Sequence, residues 1–274
     1  MTSAKESRLI EIIKSLHSAV IGLSGGVDST LIAKLCKDHL GAENIWVVTG
    51  ESESIMPEEL EYCREMAVYL QLPPGHFVTI KTDELADPNY ADNPENRCYF
   101  CKHELFEKLA EFAKTVGAAC VVDGANASDL LDYRPGLQAG KEHNVRSPFA
   151  EADFAKDDIR NLARKLGLPN WDKPAMPCLS SRIPYFAKVT PEKLKQIAAA
   201  ERYLRQLGFQ QFRVRHHGKI ARLEIEDFQL MLGNGVRESI NARFKEIGFT
   251  YVTVDLGGFR SGNLNIDIKK SVGS

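Results

Sequence analysis

The sequence predicts an α/β protein, with a doubly wound parallel sheet followed by a smaller α+β domain. Apolar strand-like runs alternate with amphipathic helical segments to about residue 125, which is typical of parallel sheets. A glycine-rich loop, Ser24–Ser29, joins the first strand to the next helix. After a proline-rich segment the pattern changes to helix, hairpin, helix and strand. We therefore predict one domain over residues 1–185 and another over residues 186–274.

The elements of the N-terminal domain follow from hydrophobic periodicity. Helices are predicted at 6–16, 28–40, from Pro57 onward, at 98–116 and at 153–167, and strands at 18–24, 44–50, 76–82 and 118–124. Pro57 suits a first helical turn, where its missing N–H leaves no bond unmade. Ligands of parallel sheets bind beyond the carboxyl ends of the strands. The loop at 124–136 follows the last strand, so we expect it to face the ligand crevice.

The C-terminal elements begin after a loop rich in proline, which suits neither a helix interior nor a central strand. These prolines are Pro169, Pro174, Pro177 and Pro184. Thr190 and Pro191 have the residue types of an N-cap and a first helical position, so a helix is predicted from there to about Leu207. A hairpin at 212–225 turning near Gly218, a helix at 227–247 and a strand at 251–256 complete the prediction.

Composition narrows the class of protein. The chain has 274 residues, 43% of them hydrophobic and 26% charged, which is an ordinary globular balance. Its net charge of −2 disfavours nucleic acid as the substrate, because such proteins usually carry a basic surplus. We find no membrane-spanning run and no signal peptide pattern, so a cytoplasmic location is expected. The six cysteines are then better interpreted as metal-binding, catalytic or core residues than as a disulfide framework.

The loop Ser24-Gly25-Gly26-Val27-Asp28-Ser29 has the properties of a phosphate-binding turn. Its glycines allow a tight turn that brings backbone N–H groups to a ligand, and the following helix adds its positive N-terminal end. The Ser24 and Ser29 hydroxyls can bond further phosphate oxygens. The loop lacks the Lys-Ser/Thr of a Walker A motif and the spacing of a dinucleotide fingerprint. An ordinary strand-to-helix turn is the alternative.

Three cysteines stand apart from the core pattern. Cys98 and Cys101 share one helix face, and Cys178 lies in the proline-rich loop shortly before Arg182. A nearby cation favours the reactive thiolate, so Arg182 is expected to activate Cys178. The pair at 98 and 101 could instead be a redox pair, coincidental packing, or part of a zinc site. In a zinc site, His103 or His143 would supply a further ligand. The other cysteines, Cys36, Cys63 and Cys120, are interpreted as core.

The loop sequence SGGxDS resembles the PP-loop of the ATP pyrophosphatase superfamily, which includes GMP, NAD and asparagine synthetases and tRNA thiolases. The resemblance implies cleavage of ATP to AMP and pyrophosphate. It implies that Ser24, Gly25, Gly26, Asp28 and Ser29 hold the nucleotide, with Asp28 orienting the loop or binding Mg²⁺.

Further runs resemble the LarE family of ATP-dependent sulfur transferases, and together with the loop they extend over nearly the whole chain. These runs are DLLDYRPGL, PAMPCLSSRIPY, FRVRHHGKIARLEI and YVTVDLGGFRSG. The resemblance implies adenylylation of a pyridinium dicarboxylate mononucleotide and conversion of its carboxylate to a thiocarboxylate, in nickel-pincer cofactor biosynthesis. It also implies a homo-oligomer, which is a hexamer in known members.

The cysteines bear on how the sulfur is supplied. In one branch of this family, the cysteine matching Cys178 gives up its own sulfur, and the cysteines matching Cys98 and Cys101 are absent. This chain resembles the other branch, in which all three cysteines hold a [4Fe–4S] cluster. Its fourth iron can bind hydrosulfide, from sulfide or from a sulfur donor protein, for delivery to the adenylate.

Several polar residues are also expected at the site. By resemblance, Arg213 and Arg215 are expected to contact phosphate. From its place in the crevice loop, Arg134 is expected to meet a substrate phosphate or carboxylate or to pair with an aspartate. Two glutamates, Glu201 and Glu224, match metal- or substrate-binding positions. The crevice loop adds Asp129, Asp132 and Tyr133. Two other functions compete with this one: a tRNA thiolase with an iron–sulfur cluster, and a nucleotide-binding regulator with structural zinc.

Overall fold

The computed structural model describes residues 4–131, 134–174, 176–260 and 263. It divides the chain into two compact units. The N-terminal unit comprises Met1–Asp87 and Asn96–Met176, and the C-terminal unit comprises Pro88–Glu95 and Pro177–Ser274. The predicted boundary at residue 185 lies nine residues after this division, which places Cys178 and Arg182 in the second unit. The second unit also takes a short segment from the N-terminal half of the chain. Asp132 and Tyr133 of the crevice loop lie outside the described residues.

Helices and strands occur in the following bounds within the part of the chain that is described. The helices are α1 (Ala4–Lys14), α2 (Val27–Leu40), α3 (Pro57–Tyr69), α4 (Pro88–Ala91), α5 (Arg97–Val116), α6 (Pro135–Glu142), α7 (Pro148–Glu151), α8 (Lys156–Lys165), α9 (Pro191–Gln206), α10 (Phe228–Met231) and α11 (Val236–Ile247). The strands are β1 (Ala19–Gly22), β2 (Ile45–Glu51), β3 (Phe77–Lys81), β4 (Cys120–Val122), β5 (Phe212–His217), β6 (Ile220–Ile225) and β7 (Tyr251–Val254). No described helix is both long enough and apolar enough to cross a membrane.

The N-terminal unit contains the predicted parallel sheet. Its four strands lie in the order β3-β2-β1-β4, and every pair is parallel. The chain runs outward from β1 through β2 to β3 and then crosses to β4 on the other side of β1. The order therefore reverses between β1 and β4, and this is where open α/β sheets form their ligand crevice. The doubly wound α/β prediction is confirmed.

Burial explains why these strands are almost wholly apolar. Ala19, Val20 and Ile21 of β1 are fully buried, because helices cover both faces of the sheet. One core contains β1 side chains with Leu31 of α2, and a second contains β1 and β2 side chains with Leu109 of α5. The site at the carboxyl end of β1 is therefore supported by closely packed apolar side chains.

The C-terminal unit contains a three-stranded sheet in the order β5-β6-β7. Strands β5 and β6 form the predicted antiparallel hairpin, turning at Gly218 with a φ of 65°, and β7 lies parallel to β6. The single helix predicted at 227–247 is wrong: α10 ends at Met231 and α11 begins at Val236. Gly235 between them has a φ of 74°, a left-handed conformation that interrupts a helix and that glycine adopts without strain.

The segment Pro88–Glu95 belongs to the C-terminal unit because its side chains bond the loop after Cys178. The buried amide of Asn93 donates to the carbonyl groups of Ile183, Pro184 and Ala187, at 3.3, 2.7 and 3.0 Å. The Tyr90 hydroxyl lies 2.6 Å from the Ser180 hydroxyl. These bonds connect residues about 90 positions apart, which a sequence pattern cannot reveal.

Candidate functional site

The phosphate loop has the compact geometry that its sequence predicts. Gly25 is buried and has a φ of 72°, which favours glycine. The buried Ser29 hydroxyl accepts from the Ser24 N–H and lies 3.1 Å from both the Ser24 hydroxyl and the Gly26 carbonyl. The Ser29 side chain thus forms hydrogen bonds within the loop and stabilises its turn, whereas Ser24 is exposed to solvent. Gly26 is the N-cap of α2 and receives no side-chain cap, so this end of the helix suits an anion.

Asp28 lies where the carboxyl ends of β1 and β4 meet. Asn126, which follows β4, donates its side-chain N–H to Asp28 at 3.0 Å. Burial raises the pKa of the Asp28 carboxyl, the bond from Asn126 lowers it, and the charge of Asp129 raises it. Asp28 and Asp129 therefore bring two carboxylates near one another, and carboxylate oxygens are ligands that Mg²⁺ prefers. Binding of Mg²⁺ by these two carboxylates stays a prediction.

Arg134 lies at the same edge of the sheet and pairs with Asp129, at 3.1 Å between Nη2 and Oδ1. The Lys156 ammonium is 3.6 Å from that oxygen. Asp129 is buried, so these cations offset the cost of its charge. Arg134 therefore pairs with an aspartate, which is one of the two roles considered for it. Contact with a substrate anion, the other role, stays a prediction.

Cys98 and Cys101 lie near the N-terminus of α5, in the N-terminal unit. Cys98 is exposed and Cys101 is half-buried. Cys178 is half-buried and belongs to the C-terminal unit, at the start of a short 3-10 helix over Leu179–Arg182. Within the described residues of each unit, no three His, Cys, Asp or Glu side chains are grouped as a metal site. His103 and His143 bond each other, at 3.1 Å between ring nitrogens.

The remaining cysteines differ in environment. Cys36 and Cys63 are buried and Cys120 is half-buried in β4, in agreement with their interpretation as core. Burial raises the pKa of each of these three thiols. They are therefore held as neutral thiols, which neither bind metal readily nor attack substrates.

Arg182 organises the loop that carries Cys178. Its guanidinium forms a two-point pair with Glu201, with bonds of 2.8 and 2.9 Å, and both side chains are 1% exposed. The same guanidinium donates to the carbonyls of Pro177 and Cys178, at 2.7 and 3.1 Å. Arg182 thus contacts the backbone of the cysteine loop, and its predicted catalytic role stays a prediction.

A second buried charge network continues along β5 and β6. Arg215 donates to the Ser181 carbonyl and to the Glu224 carboxylate, both at 2.7 Å. Burial lowers the pKa of Arg213 to about 10, and the neighbouring Arg182 lowers it as well. Arginines concentrated in this way favour an anion such as phosphate, because the anion offsets their desolvation and mutual repulsion. Glu201 and Glu224 bond arginines here, and metal binding by either stays a prediction.

Sequence reasoning missed three side chains around the phosphate loop. Asn126 contacts Asp28, whereas Asn170 and Lys173 both donate to the Gly25 carbonyl. Asn126 lies in a loop that was expected to face the crevice, so its position was a usable signal. Asn170 and Lys173 lie in the proline-rich loop, whose contacts with Gly25 span about 145 positions and leave no local pattern.

Comparisons with known proteins identify related sequences. The model of the NAD synthase family matches residues 8–92. The pyridinium-3,5-bisthiocarboxylic acid mononucleotide synthase of Lactiplantibacillus plantarum is 39% identical over 98% of this chain and 96% of its own. An uncharacterised protein of Synechocystis is 46% identical over 97% and 98%. A component of the glutamine-hydrolysing GMP synthase of Pyrococcus furiosus is 26% identical over 71% and 66%.

The match to the synthase covers nearly all of both units, whereas most of the residues matched by the NAD synthase model lie in the first unit. The match to the synthase includes the phosphate loop at the β1–β4 crevice and the segment of Cys178 and Arg182. The chain belongs to the LarE family of ATP-dependent sulfur transferases, within the PP-loop superfamily.

Proposed function

We propose that this protein adenylylates a carboxylate of a pyridinium dicarboxylate mononucleotide and converts it to a thiocarboxylate, for nickel-pincer cofactor biosynthesis. The observation that carries this proposal is the similarity over almost the full chain to a pyridinium-3,5-bisthiocarboxylic acid mononucleotide synthase. The phosphate loop at the sheet crevice supports the ATP-dependent half of the reaction. The family resemblance supports a cytoplasmic homo-oligomer, with a hexamer as the expected assembly.

The proposed reaction has two steps. In the first, a substrate carboxylate oxygen attacks the α-phosphorus of ATP, and pyrophosphate leaves with the electrons of the broken P–O bond. In the second, hydrosulfide attacks the carbonyl carbon of the acyl adenylate. The C–O bond to AMP breaks, and AMP, the thiocarboxylate and one proton are released. No electron transfer is required.

The residues of the N-terminal unit act mainly in the first step. Ser24, Gly25, Gly26 and Ser29 shape the loop that receives pyrophosphate, and the N-terminus of α2 favours its negative charge. Asp28 and Asp129 would hold Mg²⁺, which neutralises charge on the departing oxygens when bound. Arg134 would contact the substrate anion after exchanging its bond to Asp129. Arg213 and Arg215, in the C-terminal unit, would contact the phosphate of the mononucleotide.

We further propose that Cys98, Cys101 and Cys178 hold a [4Fe–4S] cluster, which supplies the transferred sulfur when loaded with sulfide from solution or a donor protein. Three thiolates are a suitable donor set for such a cluster. Chain connectivity supports the proposal. Asn93 bonds the loop at Ile183–Ala187, five residues after Cys178, and Cys98 follows Asn93 by five residues. Along the chain, Cys98 therefore closely follows a residue that bonds the cysteine loop.

The test is anaerobic reconstitution with iron and sulfide, followed by turnover with ATP and the pyridinium dicarboxylate mononucleotide. We expect thiocarboxylate, AMP and pyrophosphate over several turnovers, with every cysteine intact by mass spectrometry. Conversion of Cys178 to dehydroalanine after a single turnover would instead indicate that the protein donates its own sulfur. Thiolation of tRNA in place of the mononucleotide would overturn the substrate assignment.

Asp28→Asn is expected to abolish pyrophosphate release and to raise the melting temperature of the ligand-free protein at neutral pH by a few degrees. Because burial raises the folded-state pKa, the charged carboxylate costs stability. That cost appears as pH rises from the ordinary aspartate value of 3.8 through the raised pKa, and the substitution removes it. Asparagine can still accept the bond from Asn126. Differential scanning calorimetry at neutral pH and near pH 4 measures the difference, which should be much smaller at the lower pH.

The matched control is Asp38→Asn on the same helix. Its carboxylate pairs with Lys34 at the surface, so little change in melting temperature is expected at either pH. A lower melting temperature for Asp28→Asn than for the wild type at neutral pH would contradict the prediction.

A further inference from the structure

Two side chains outside the predicted site converge on one carbonyl group of the phosphate loop. Lys173 Nζ lies 3.4 Å from the Gly25 carbonyl oxygen, and Asn170 Nδ2 lies 3.3 Å from the same atom. Asn170 is fully buried and donates also to the Thr30 hydroxyl at 2.9 Å. The Gly25 carbonyl is therefore held from one side by two donors on the loop that follows α8.

The planarity of the peptide bond makes this contact consequential. In a trans peptide the carbonyl of one residue and the N–H of the next point in opposite directions, and the described residues contain no cis bond. Fixing the Gly25 carbonyl towards Asn170 and Lys173 therefore directs the Gly26 N–H away from them. Flanking glycines rotate easily, so this peptide would otherwise adopt either orientation at little cost.

The surroundings of the two glycines differ accordingly. A Cβ atom added to Gly25 would lie 3.2 Å from Cys63 Sγ, 3.3 Å from the Tyr62 ring and 3.7 Å from Lys173 Nζ. A Cβ atom added to Gly26 would meet only the exposed Ser24 hydroxyl, at 3.5 Å. The Gly25 side of the loop is thus packed against protein, and the Gly26 side is open to a ligand.

Lys173 is suited to positioning rather than to binding phosphate itself. Its ammonium group has three donors, and it has three partners: the Gly25 carbonyl, the Glu59 carboxylate at 2.8 Å, and the Tyr62 ring at 3.6 Å from the centroid. Glu59 and Tyr62 both lie on α3, so the Lys173 ammonium contacts both α3 and the phosphate loop.

We infer that Asn170 and Lys173 lock the Gly25–Gly26 peptide so that the Gly26 N–H faces the pyrophosphate group of the nucleotide. This inference rests on the proposed ATP-dependent function and assigns two positioning residues to it. Release of the lock would let the peptide turn a carbonyl oxygen towards the anion. A donor would then be replaced by a repelling acceptor, while contacts with the rest of the nucleotide are retained.

The test compares the binding of inorganic pyrophosphate and of AMP, by titration calorimetry on the full chain. Lys173→Met and Asn170→Ser are expected to weaken pyrophosphate binding about ten- to a hundred-fold, the range for a lost bond to a charged group. AMP affinity should stay within about two-fold. Asn170→Ser changes no charge, so its effect cannot come from long-range electrostatics. Lys173→Arg should retain most of the pyrophosphate affinity, because a guanidinium can still donate to the Gly25 carbonyl.

The control is Lys102→Met, which removes another lysine that lies over an aromatic ring, that of Phe106, in the same unit. It should leave pyrophosphate affinity unchanged. Equal losses of pyrophosphate and AMP affinity in Lys173→Met and Asn170→Ser would indicate a merely structural role and overturn the inference, as would unchanged pyrophosphate affinity in both. A wild-type protein that binds neither ligand would overturn the proposed function as well.

Discussion

Replacing Cys98 or Cys101 with alanine is expected to abolish the iron–sulfur cluster and repeated thiocarboxylate formation, while pyrophosphate release continues. Each thiolate is proposed to hold one iron, so loss of either leaves that iron without a protein ligand. The phosphate loop that is proposed to cleave ATP lies at the start of α2, whereas these two thiols lie on α5. The measurements are iron and sulfide content, the broad visible absorbance of the cluster, and pyrophosphate release after anaerobic reconstitution.

Cys120→Ala is the matched control. Cys120 is half-buried in β4, its thiol contacts the Ser18 carbonyl at 3.5 Å, and burial raises its pKa. This variant should keep the full iron content. Unchanged absorbance in both Cys98→Ala and Cys101→Ala would refute the cluster assignment. One zinc per chain in place of iron would support the structural-zinc alternative.

Arg182→Met is expected to destabilise the protein by about 3–5 kcal/mol, the range for breaking a buried ion pair. Arg182 and Glu201 are both almost fully buried, so removing the cation leaves an uncompensated carboxylate in the interior. The carbonyls of Pro177 and Cys178 lose their donor at the same time. Urea unfolding of the cluster-free protein measures this loss without any contribution from the metal.

Two further variants make the result specific. The double variant with Arg182→Met and Glu201→Met should recover much of the stability, because no buried charge then remains unpaired. It should not recover the cluster, because the cysteine loop still lacks its anchoring donor. Arg243→Met breaks an exposed pair with Glu246 and should cost under about 1 kcal/mol. A similar loss of stability in Arg182→Met and Arg243→Met would contradict the prediction, because the buried pair would then stabilise the protein no more than an exposed pair.

Much of the fold could be predicted because its signals are local. Hydrophobic periodicity predicted the strands of the parallel sheet, and the structure confirms them within a few residues. Thr190 acts as the N-cap of α9, as predicted, by accepting from the Lys193 N–H at 3.4 Å. The turn at Gly218 was also predicted correctly. Where a local signal was misjudged, at Gly235, the predicted helix is divided in two.

The candidate site could be predicted only in part. The phosphate loop and the three separate cysteines are visible in the sequence because their residue types and spacing imply chemistry by themselves. The contacts of Asn126, Asn170 and Lys173 are not visible, and neither is the pairing of Arg182 with Glu201. Arginine after a cysteine suggested activation of the thiol, which stays a prediction. What the sequence did not reveal is that the guanidinium bonds the loop backbone and a buried carboxylate.

The sequence by itself determined the fold class, the position of the phosphate loop and the family, because each follows from the order and spacing of neighbouring residues. Only the tertiary structure decided which side chains hold that loop and the cysteine loop in shape. Lys173 lies 148 positions from Gly25, and Asn93 lies 91 positions from Pro184. Such partners are selected by the packing of whole elements, so their contacts exist only once the chain has folded.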